Sequence, residues 1–441
     1  MGRRQRLQTL LRLMRNRYLP PAELRALQQQ KLRTVARHAY ENVPYYRSLF
    51  DSVGLGPNDV RSVDDLLHLP VTSKAQLKAA GLTRITAQGT DLAGAVVDRT
   101  SGTSGHQFDV YHSRREKATE SLVRFRAHLA TGMRPRDRLC HLGPHQYPQS
   151  ALRQRLGLYR TEYVPTLLPI DEQIRRLRTI RPTILRAWPT ALRAVLHEVD
   201  YRLSDIVQPR VLITSSEVLD QSLRKRILDD INVELFNFYV AAECGPIASE
   251  CRAHQGLHVN ADQLILEVLG EDGTPAAPGQ PGVVVLSSLY GFVMPFIRYR
   301  LGDMCTLIDK PCSCGSTFPL ISAPAGRHED VVRLPSGTIR SALGLGLIVD
   351  EVDGIDQYRF IQERRDLLVV KLVLWQDLGP QVLAHFEDRL LEYLGEPVSL
   401  DVQIVDHIAD EGPKSRKFIS KLSPGQVLES GAEAGEDRGM A

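Results

Sequence analysis

The chain has 441 residues, of which 43% are hydrophobic and 24% are charged, a composition typical of a globular protein with two or three domains. Its net charge of +3 is close to balance and gives no support for a nucleic-acid partner. The longest nearly uncharged run, 283–297, is shorter than the roughly 18–20 apolar residues that a membrane span requires, so no span is expected. Six cysteines are too sparse for a disulfide framework and favour a reducing, cytoplasmic compartment.

The first elements are predicted to be helices. Apolar residues at helical spacing predict an amphipathic helix that ends at Pro20 and Pro21, and a second helical pattern runs from there to about Tyr40. The pattern breaks at 42–46, and Ser73 is suited to be the N-cap of a further helix. The exposed, arginine-rich faces of the first helices are a candidate homodimer surface.

A loop rich in glycine and hydroxyl residues follows, with the sequence RTSGTSGHQFDVYHS over 99–113. Strand-like runs enter it at 95–97 and leave it at 110–111, which predicts a tight strand–loop–strand element. Such a loop presents several backbone N–H groups and hydroxyls to one point, as an oligophosphate requires. It lacks the Walker and dinucleotide-binding spacings, so it is either a phosphate site of another kind or an ordinary hairpin turn.

Beyond this loop, helical patterns alternate with short β-rich runs. Helices are expected over 117–129, 170–179 and 221–231, and strands over 137–142, 182–185 and 210–214. This alternation predicts an α/β fold with a mostly parallel sheet and ligands at the carboxyl ends of its strands. Past residue 255 short strands and turns predict a β-rich subdomain. A smaller β-and-helix pattern follows residue 326, and the polar stretch 423–441 is expected to be disordered.

Polar residues follow three of the predicted strands. Ser216 and Glu217 follow the strand at 210–214, and Tyr239 and Glu243 follow the run 234–237. Asp303 lies after a glycine turn, where its carboxylate is suited to accept two ribose hydroxyls. Two acids and an aromatic ring at strand ends are suited to hold a base and a divalent cation, although capping and surface solvation explain the same residues.

Four other residues have the chemistry of a structural metal site. Cys251, His258, Cys312 and Cys314 flank the strands around Asp303, and three thiolates with one imidazole suit closed tetrahedral zinc. The alternative is a set of unrelated buried thiols and a surface histidine. His254 is the competing nitrogen ligand.

Several motifs together resemble the AMP-forming acyl-adenylating superfamily, and within it the phenylacetate–coenzyme A ligase group with its capsule-biosynthesis relatives. The motifs are RTSGTSG at 99–105, YVAAE at 239–243, IRYRLGD at 297–303, GRHED at 326–330, and the segments 38–46 and 64–74. They cover the chain in order to about residue 422. The resemblance implies a large N-terminal domain over 1–326, a small mobile α+β domain over 327–422, and a tail over 423–441.

The resemblance also implies roles for individual residues in binding Mg²⁺ and ATP. Glu243 would bind Mg²⁺, and Lys414 on the mobile domain would stabilise the transition state of adenylation, with Lys417 as the second choice. The phosphates would be held by Ser101, Gly102, Thr103, Ser104 and Gly105. Adenine would be bordered by Ser216, Glu217, Asn237 and Tyr239. The ribose would be held by Asp303 and Arg327.

The implied reaction is ATP-dependent activation of a carboxylic acid, aromatic by preference, followed by acyl transfer to the thiol of coenzyme A or of a carrier protein. Transfer to an amine, or a nucleotide-binding relative without activity, are the alternatives, because Val240 and Ala242 depart from the family's glycine and hydroxyl residue. The acid pocket is expected near 141–147, with His145, Tyr147 and Trp188 as lining residues.

Overall fold

The structure is a computed structural model that describes residues 2–100, 108–144, 146, 151–409 and 416–422. It divides into two compact units: residues up to 219 with 226–325, and residues 220–225 with those from 326 onward. The sequence leaves 220–225 in the large domain, whereas the structure assigns this stretch to the second unit.

Several of the described α-helices begin where proline or a capping side chain favours the first turn. Proline occupies the first turn of four of them, and Ser73 and Ser113 each form a capping box with the residue three positions later. None of these described helices combines the length and apolar character needed to cross a bilayer. The bounds are α1 Arg3–Asn16, α2 Pro21–Asn42, α3 Pro44–Asp51, α4 Lys74–Ala80, α5 Leu82–Ile85, α6 Arg114–Ala130, α7 Ala151–Leu156, α8 Ile170–Ile180, α9 Pro189–Glu198, α10 Gln221–Arg226, α11 Ala342–Asp350 and α12 Pro380–Leu394.

The described strands are between two and ten residues long. Their bounds are β1 Val96–Arg99, β2 Asp109–His112, β3 Arg138–Gly143, β4 Arg160–Pro165, β5 Ile184–Ala187, β6 Val211–Ser215, β7 Glu234–Ala241, β8 Gly245–Glu250, β9 Leu257–Val259, β10 Leu264–Leu269, β11 Pro281–Ser288, β12 Tyr299–Ile308, β13 Leu320–Ile321, β14 Gly326–Arg327, β15 Val331–Arg333, β16 Ile339–Ser341, β17 Ile355–Arg364, β18 Leu367–Leu374, β19 Ser399–Ile404 and β20 Phe418–Ser420.

One large sheet organises the first unit. Strands β4, β3, β5, β6 and β7 lie side by side and are parallel, and antiparallel strands β8, β9, β13, β12, β11 and β10 continue the sheet in that order. The parallel half and the β-rich half confirm the predicted fold class. Because the carboxyl ends of β5, β6 and β7 meet at one edge, residues that follow these strands are brought together.

A buried ion pair holds the first helix, α1, in place. Arg126 on α6 donates from both terminal nitrogens to Asp262, at 2.8 and 2.9 Å, and both side chains are at most 2% exposed. Arg126 also donates to the carbonyl oxygen of Leu13, and Asn16 donates to Asp262 at 2.8 Å. The C-terminal end of α1 is therefore fixed against α6.

The second unit has its own sheet and core. Its strands follow the order β19, β18, β17, β20, and α11 and α12 cover apolar side chains of this sheet. The helix predicted over 221–231 stops earlier: α10 ends at Arg226, and a wider π-helical turn, Ile227–Ile231, follows. Asn232, with a positive φ of 52°, ends that turn.

Candidate active site

The strand–loop–strand element around the glycine-rich loop is an antiparallel hairpin. β1 pairs with β2, and Arg99 lies opposite Asp109. Thr100 N donates to the Phe108 carbonyl oxygen at 3.0 Å, and Phe108 N donates to Thr100 Oγ1 at 3.1 Å. The predicted phosphate-binding residues, 101–105, lie outside the described residues. The structure therefore describes the two ends of this loop.

Asp98 joins this hairpin to α6. Its Oδ2 accepts a 2.7 Å hydrogen bond from Lys117 Nζ and lies 3.4 Å from His112 Nε2. Burial acts to raise the pKa of Asp98, but the hydrogen bonds from His112 and Lys117 outweigh it and lower the pKa to about 2. The carboxylate is thus ionised at neutral pH.

Lys74 begins α4, and its side chain reaches the start of the phosphate loop. Its Nζ donates a 3.0 Å hydrogen bond to Thr100 Oγ1. Backbone pairing fixes this position, because Thr72 N donates to the Arg298 carbonyl oxygen at 2.7 Å and Arg300 N donates to the Thr72 carbonyl oxygen at 2.8 Å. Lys74 was not among the predicted site residues, although the segment 64–74 carries part of the resemblance.

Tyr239 and Asp303 are brought into direct contact. The Tyr239 hydroxyl donates a 2.6 Å hydrogen bond to Asp303 Oδ2, although the two residues are 64 positions apart in the chain. Burial and the charge of the Asp303 carboxylate raise the pKa of Tyr239 well above its usual value, so the hydroxyl keeps its proton. This pair links the C-terminal half of β7 to the middle of β12.

Glu243 lies in the turn between β7 and β8 and is 9% exposed. Its Oε1 accepts a 3.0 Å hydrogen bond from the Tyr299 hydroxyl. Burial raises the pKa of Glu243, while hydrogen bonds from its own backbone and from Tyr299, and the charge of Lys74, act in the opposite direction. A buried carboxylate beside a lysine and another carboxylate, Asp303, has the charge environment in which a divalent cation is favourable.

The residues predicted to border adenine lie at the ends of β6 and β7. Asn237 is 5% exposed, and its Oδ1 lies 3.4 Å from Thr214 Oγ1 across the two strands. Ser216 has a positive φ of 75°, a conformation that costs a non-glycine residue energy and that occurs often at functional sites. Glu217 Oε2 accepts from Thr190 N at 3.0 Å and from its hydroxyl at 2.7 Å, so one oxygen of this carboxylate caps the first turn of α9.

Of the three predicted acid-pocket residues, His145 and Tyr147 lie outside the described residues. Trp188 follows β5, is 9% exposed and precedes α9, and its backbone N–H donates to the Leu142 carbonyl oxygen at 3.3 Å. It therefore lies at the carboxyl edge of the parallel sheet, between β3 and α9.

A row of polar and aromatic side chains crosses the strands just below this edge. His141 on β3 lies opposite Tyr163 on β4 and Arg186 on β5, and its ring stacks on Tyr163 with 6.2 Å between the ring centres. Arg186 is 1% exposed, and its Nε donates a 3.1 Å hydrogen bond to Ser215 Oγ at the end of β6. Arg186 was not singled out from the sequence, where a lone arginine in an apolar run carries no distinctive signal.

The four predicted metal ligands converge at one point. The sulfur atoms of Cys251 and Cys312 are 3.6 Å apart, and the sulfur of Cys314 lies 3.3 Å from Nε2 of His258. All four ligand atoms lie within 4.8 Å of one another. The pairing of β9 with β13 brings the segments together, with His258 opposite Leu320.

Two of the distances between ligand atoms, 3.6 and 3.3 Å, match those around a tetrahedral ion. Zinc bonds of about 2.3 Å to sulfur and about 2.0 Å to nitrogen require ligand atoms about 3.3–3.8 Å apart. The Nδ1 of His258 lies 3.2 Å from the Phe318 carbonyl oxygen, which directs Nε2 to the sulfur atoms. The competing nitrogen ligand, His254, lies outside the cluster, with Nδ1 3.7 Å from Glu250 Oε2 and its ring against Phe236.

The C-terminal candidates belong to the second unit. Lys414 lies outside the described residues, and Arg327 lies on β14. Lys417 Nζ donates a 3.0 Å hydrogen bond to the Tyr358 hydroxyl and lies 4.0 Å from Asp220 Oδ2. The second-choice lysine is therefore engaged within its own unit.

Solved structures of known ligases share this fold. The chain matches 2-hydroxyisobutyryl-CoA ligase in the postadenylation state, in complex with R3-HIB-AMP, with a TM-score of 0.77 and 19% identity over 94% of this chain and 93% of that chain. The anthranilate CoA ligase AuaEII in complex with anthranoyl-AMP matches with a TM-score of 0.52 and 14% identity, over 75% of this chain and 67% of that chain.

Curated relatives match in sequence, although no protein-family model does. Phenylacetate-coenzyme A ligase of Thermus thermophilus is 26% identical over 438 residues, 93% of this chain and 95% of the relative. The enzyme of the same name from Aromatoleum evansii is 30% identical over 326 residues, 70% of this chain and 72% of the relative. With this identity over this span, and with the adenylate-forming motifs in order, the chain belongs to the phenylacetate-coenzyme A ligase family of AMP-forming ligases.

Proposed function

We propose that this protein activates an aromatic carboxylic acid with Mg·ATP and transfers the resulting acyl group to the thiol of coenzyme A. The curated relatives are named for that acceptor. The observation that carries the proposal is the contact of Tyr239 with Asp303 beside the buried carboxylate of Glu243. The ring of Tyr239, the Asp303 carboxylate as an acceptor for ribose hydroxyls, and the Glu243 carboxylate as a cation ligand are thus close together.

The nucleotide occupies that edge. Adenine lies against the ring of Tyr239 and is bordered by Ser216, Glu217 and Asn237, and the ribose hydroxyls bind Asp303 and Arg327. The triphosphate lies on the loop 101–105, whose ends are closed by the hydrogen bonds of Thr100 and Phe108.

Positive charge for the phosphates comes from three sources. Glu243 would hold Mg²⁺, Lys74 reaches the loop through Thr100, and Lys414 would stabilise the transition state of adenylation. The contacts of Lys417 with Tyr358 and Asp220 support Lys414 as the catalytic lysine. Lys74 supplies the cation that the glycine-rich loop itself lacks.

The reaction has two steps in which the chain aligns groups and balances charge. A carboxylate oxygen of the acid attacks the α-phosphorus of ATP, and the bond to the leaving pyrophosphate breaks. The thiol sulfur then attacks the carbonyl carbon of the acyl-adenylate, AMP leaves and the thiol proton passes to solvent. Trp188 and the stacked pair of His141 and Tyr163 support an aromatic acid, because they place flat rings at the edge of the sheet.

The protein would also hold a structural Zn²⁺ ion. Cys251, His258, Cys312 and Cys314 would hold it, with three thiolates and one neutral imidazole as the donors. The ion would fasten the loop between β12 and β13 to the end of β8. It has no part in the chemistry of the acid, because its four protein ligands leave no open position.

The function is tested by acid-dependent exchange of labelled pyrophosphate into ATP, followed by mass spectrometry of the product with coenzyme A. We expect exchange with aromatic acids and a thioester product. Lys414→Ala should abolish exchange and spare thiol attack on preformed acyl-adenylate, whereas Lys421→Ala, a neighbouring exposed lysine, should retain exchange. Full exchange in Lys414→Ala would refute that assignment, and an amide product with an amine acceptor would refute the choice of coenzyme A.

A further inference from the structure

A buried cluster of polar side chains lies between the parallel sheet and α6, on the strands that lead to the predicted acid-site residue Trp188. Its members are Arg186 on β5, Ser215 at the end of β6, His141 on β3 and His128 on α6, each at most 4% exposed. Apolar side chains of β3, β5, β6 and β7 form the core beneath it. Burial of polar side chains in an apolar layer raises the free energy of the folded protein unless these side chains form hydrogen bonds.

The guanidinium of Arg186 extends toward the carboxyl edge of the sheet. Arg186 lies opposite Ile213 on β6, and its Nε contacts Ser215, two residues closer to the edge. The ring of His141 extends in the same direction, because a Cβ placed on Gly143 would lie 2.5 Å from His141 Nε2. Both side chains therefore point to the end of the sheet where Trp188 lies.

His128 supplies an unused acceptor. Its Nδ1 lies 2.9 Å from the Arg124 carbonyl oxygen, which can only accept, so Nδ1 carries the proton and Nε2 has a lone pair. Within the described part of the chain, Nε2 is buried and has no hydrogen-bond partner. Burial, with the charges of Arg186 and Arg124, lowers the pKa of His128 to about 3, so the ring is neutral at pH 7. The His128 ring packs edge-on against Phe238, with 5.5 Å between the ring centres, and Phe238 lies opposite Ser215, the residue that Arg186 contacts. A neutral acceptor near a cationic donor suits a group that both gives and receives a hydrogen bond.

We propose that Arg186 and His128 select an aromatic acid that carries a hydroxyl group on its ring, at the end opposite the carboxylate. The hydroxyl proton is donated to His128 Nε2, and the hydroxyl oxygen accepts from the Arg186 guanidinium. Ser215 holds the guanidinium in place and is a positioning residue. This inference rests on the proposed function, because it names the acid that the same site activates.

A second carboxylate on the acid is the competing substrate. An ionised carboxylate would pair with Arg186 but has no proton to donate to His128 Nε2. That buried lone pair would then have no hydrogen-bond donor. A site built around a hydroxyl discriminates strongly against analogues that lack it, because its buried polar groups are then left unsatisfied. One panel of acids can therefore distinguish a site for a hydroxylated acid from a site for a dicarboxylic acid.

The test is pyrophosphate exchange by the full-length protein with matched acids: phenylacetate, its 3- and 4-hydroxy derivatives and 4-carboxyphenylacetate. We expect kcat/KM for one hydroxylated acid to exceed that for phenylacetate at least about 100-fold. Arg186→Leu and His128→Leu should each lower this ratio at least about 10-fold, and the exposed Arg178→Leu should leave it unchanged. Because both acids are compared on the same sample, the ratio does not depend on how much of a variant folds.

Three results of this experiment would overturn the inference. A ratio near one in the unmodified protein, a preference for 4-carboxyphenylacetate, or a ratio that is unchanged in both Arg186→Leu and His128→Leu would show that the cluster does not recognise a hydroxyl. Exchange with phenylacetate in those cases would leave the proposed function standing. Absence of exchange with every acid, including benzoates and aliphatic acids, would refute the proposed function and this inference with it.

Discussion

The Tyr239 hydroxyl donates to Asp303 Oδ2 at 2.6 Å and so joins β7 to β12, two strands that are not neighbours in the sheet. In the proposed function these residues contact different parts of one nucleotide, the base and the ribose. Their hydrogen bond fixes the distance between the two contacts before the nucleotide arrives. Preorganisation of this kind reduces the entropy lost on binding.

Tyr239→Phe removes this hydrogen bond and keeps the aromatic ring. Because a hydrogen bond to a charged group contributes about 1.5–3 kcal/mol, we expect KM for ATP to rise at least about 10-fold, with a smaller change in KM for the acid. Steady-state pyrophosphate exchange at varied ATP measures this. Tyr40→Phe is the matched control, because Tyr40 makes a 2.9 Å hydrogen bond to Asp51 on the surface. Equal KM values for the two variants would contradict the role.

Prediction from the sequence works best for features that depend on several residues of the same chemical type. The α/β fold follows from alternating patterns of apolar residues, and the convergence of Cys251, His258, Cys312 and Cys314 follows from the chemistry of zinc ligands. The sequence favours His258 over His254, and the β9–β13 pairing gives the structural reason, because it brings His258 beside the cysteines.

Single residues were harder to predict. Lys74 reaches the phosphate loop through a backbone pairing between Thr72 and the segment at Arg298, more than 200 positions away in the chain. Arg186 lies in an otherwise apolar strand and His128 lies on a helix of mixed polarity, and only the packing of α6 on the sheet brings them near one another. Such contacts depend on tertiary structure, so local sequence patterns do not predict them.

Lys74→Met removes a cation from the phosphate loop. We expect kcat/KM for ATP to fall about 10- to 100-fold, since a charge-assisted hydrogen bond contributes about 1.5–3 kcal/mol. Lys74 also lowers the pKa of Glu243, so its loss should raise that pKa and weaken Mg²⁺ binding as the pH falls. Activity at varied Mg²⁺ and pH measures both effects. Lys78→Met, one turn later on α4 and exposed, should behave as the unmodified protein.

The metal cluster makes a prediction about composition. Purified protein should contain about one equivalent of zinc by plasma mass spectrometry, and Cys312→Ser should contain far less. Removal of the ion leaves three buried or half-buried thiols without their common partner, so the melting temperature should fall by several degrees.

Cys305→Ser is the control for the zinc prediction, because Cys305 is buried outside the cluster. This variant should keep its zinc whatever its stability. Less than half an equivalent of zinc in the unmodified protein, with no further loss in Cys312→Ser, would rule out the site.

The hairpin that carries the phosphate loop should open as the pH falls. The folded-state pKa of Asp98 is about 2, below the value of about 3.9 in an unfolded chain. The stabilisation from its contacts with Lys117 and His112 is therefore complete above about pH 4 and is lost as the pH falls from there toward 2.

Hydrogen exchange of the β1 and β2 amides, corrected for intrinsic rates, measures this opening at pH 5 and pH 3. Protection should fall more over this range in the unmodified protein than in Asp98→Asn, which has lost the ionisable group and is less protected at both values. Asp91→Asn, an exposed residue before β1, should follow the unmodified protein. If Asp98→Asn lost protection as steeply as the unmodified protein, another group would control the hairpin. Because Asp98 lies directly before the predicted triphosphate loop, its protonation should also weaken ATP binding in the same pH range.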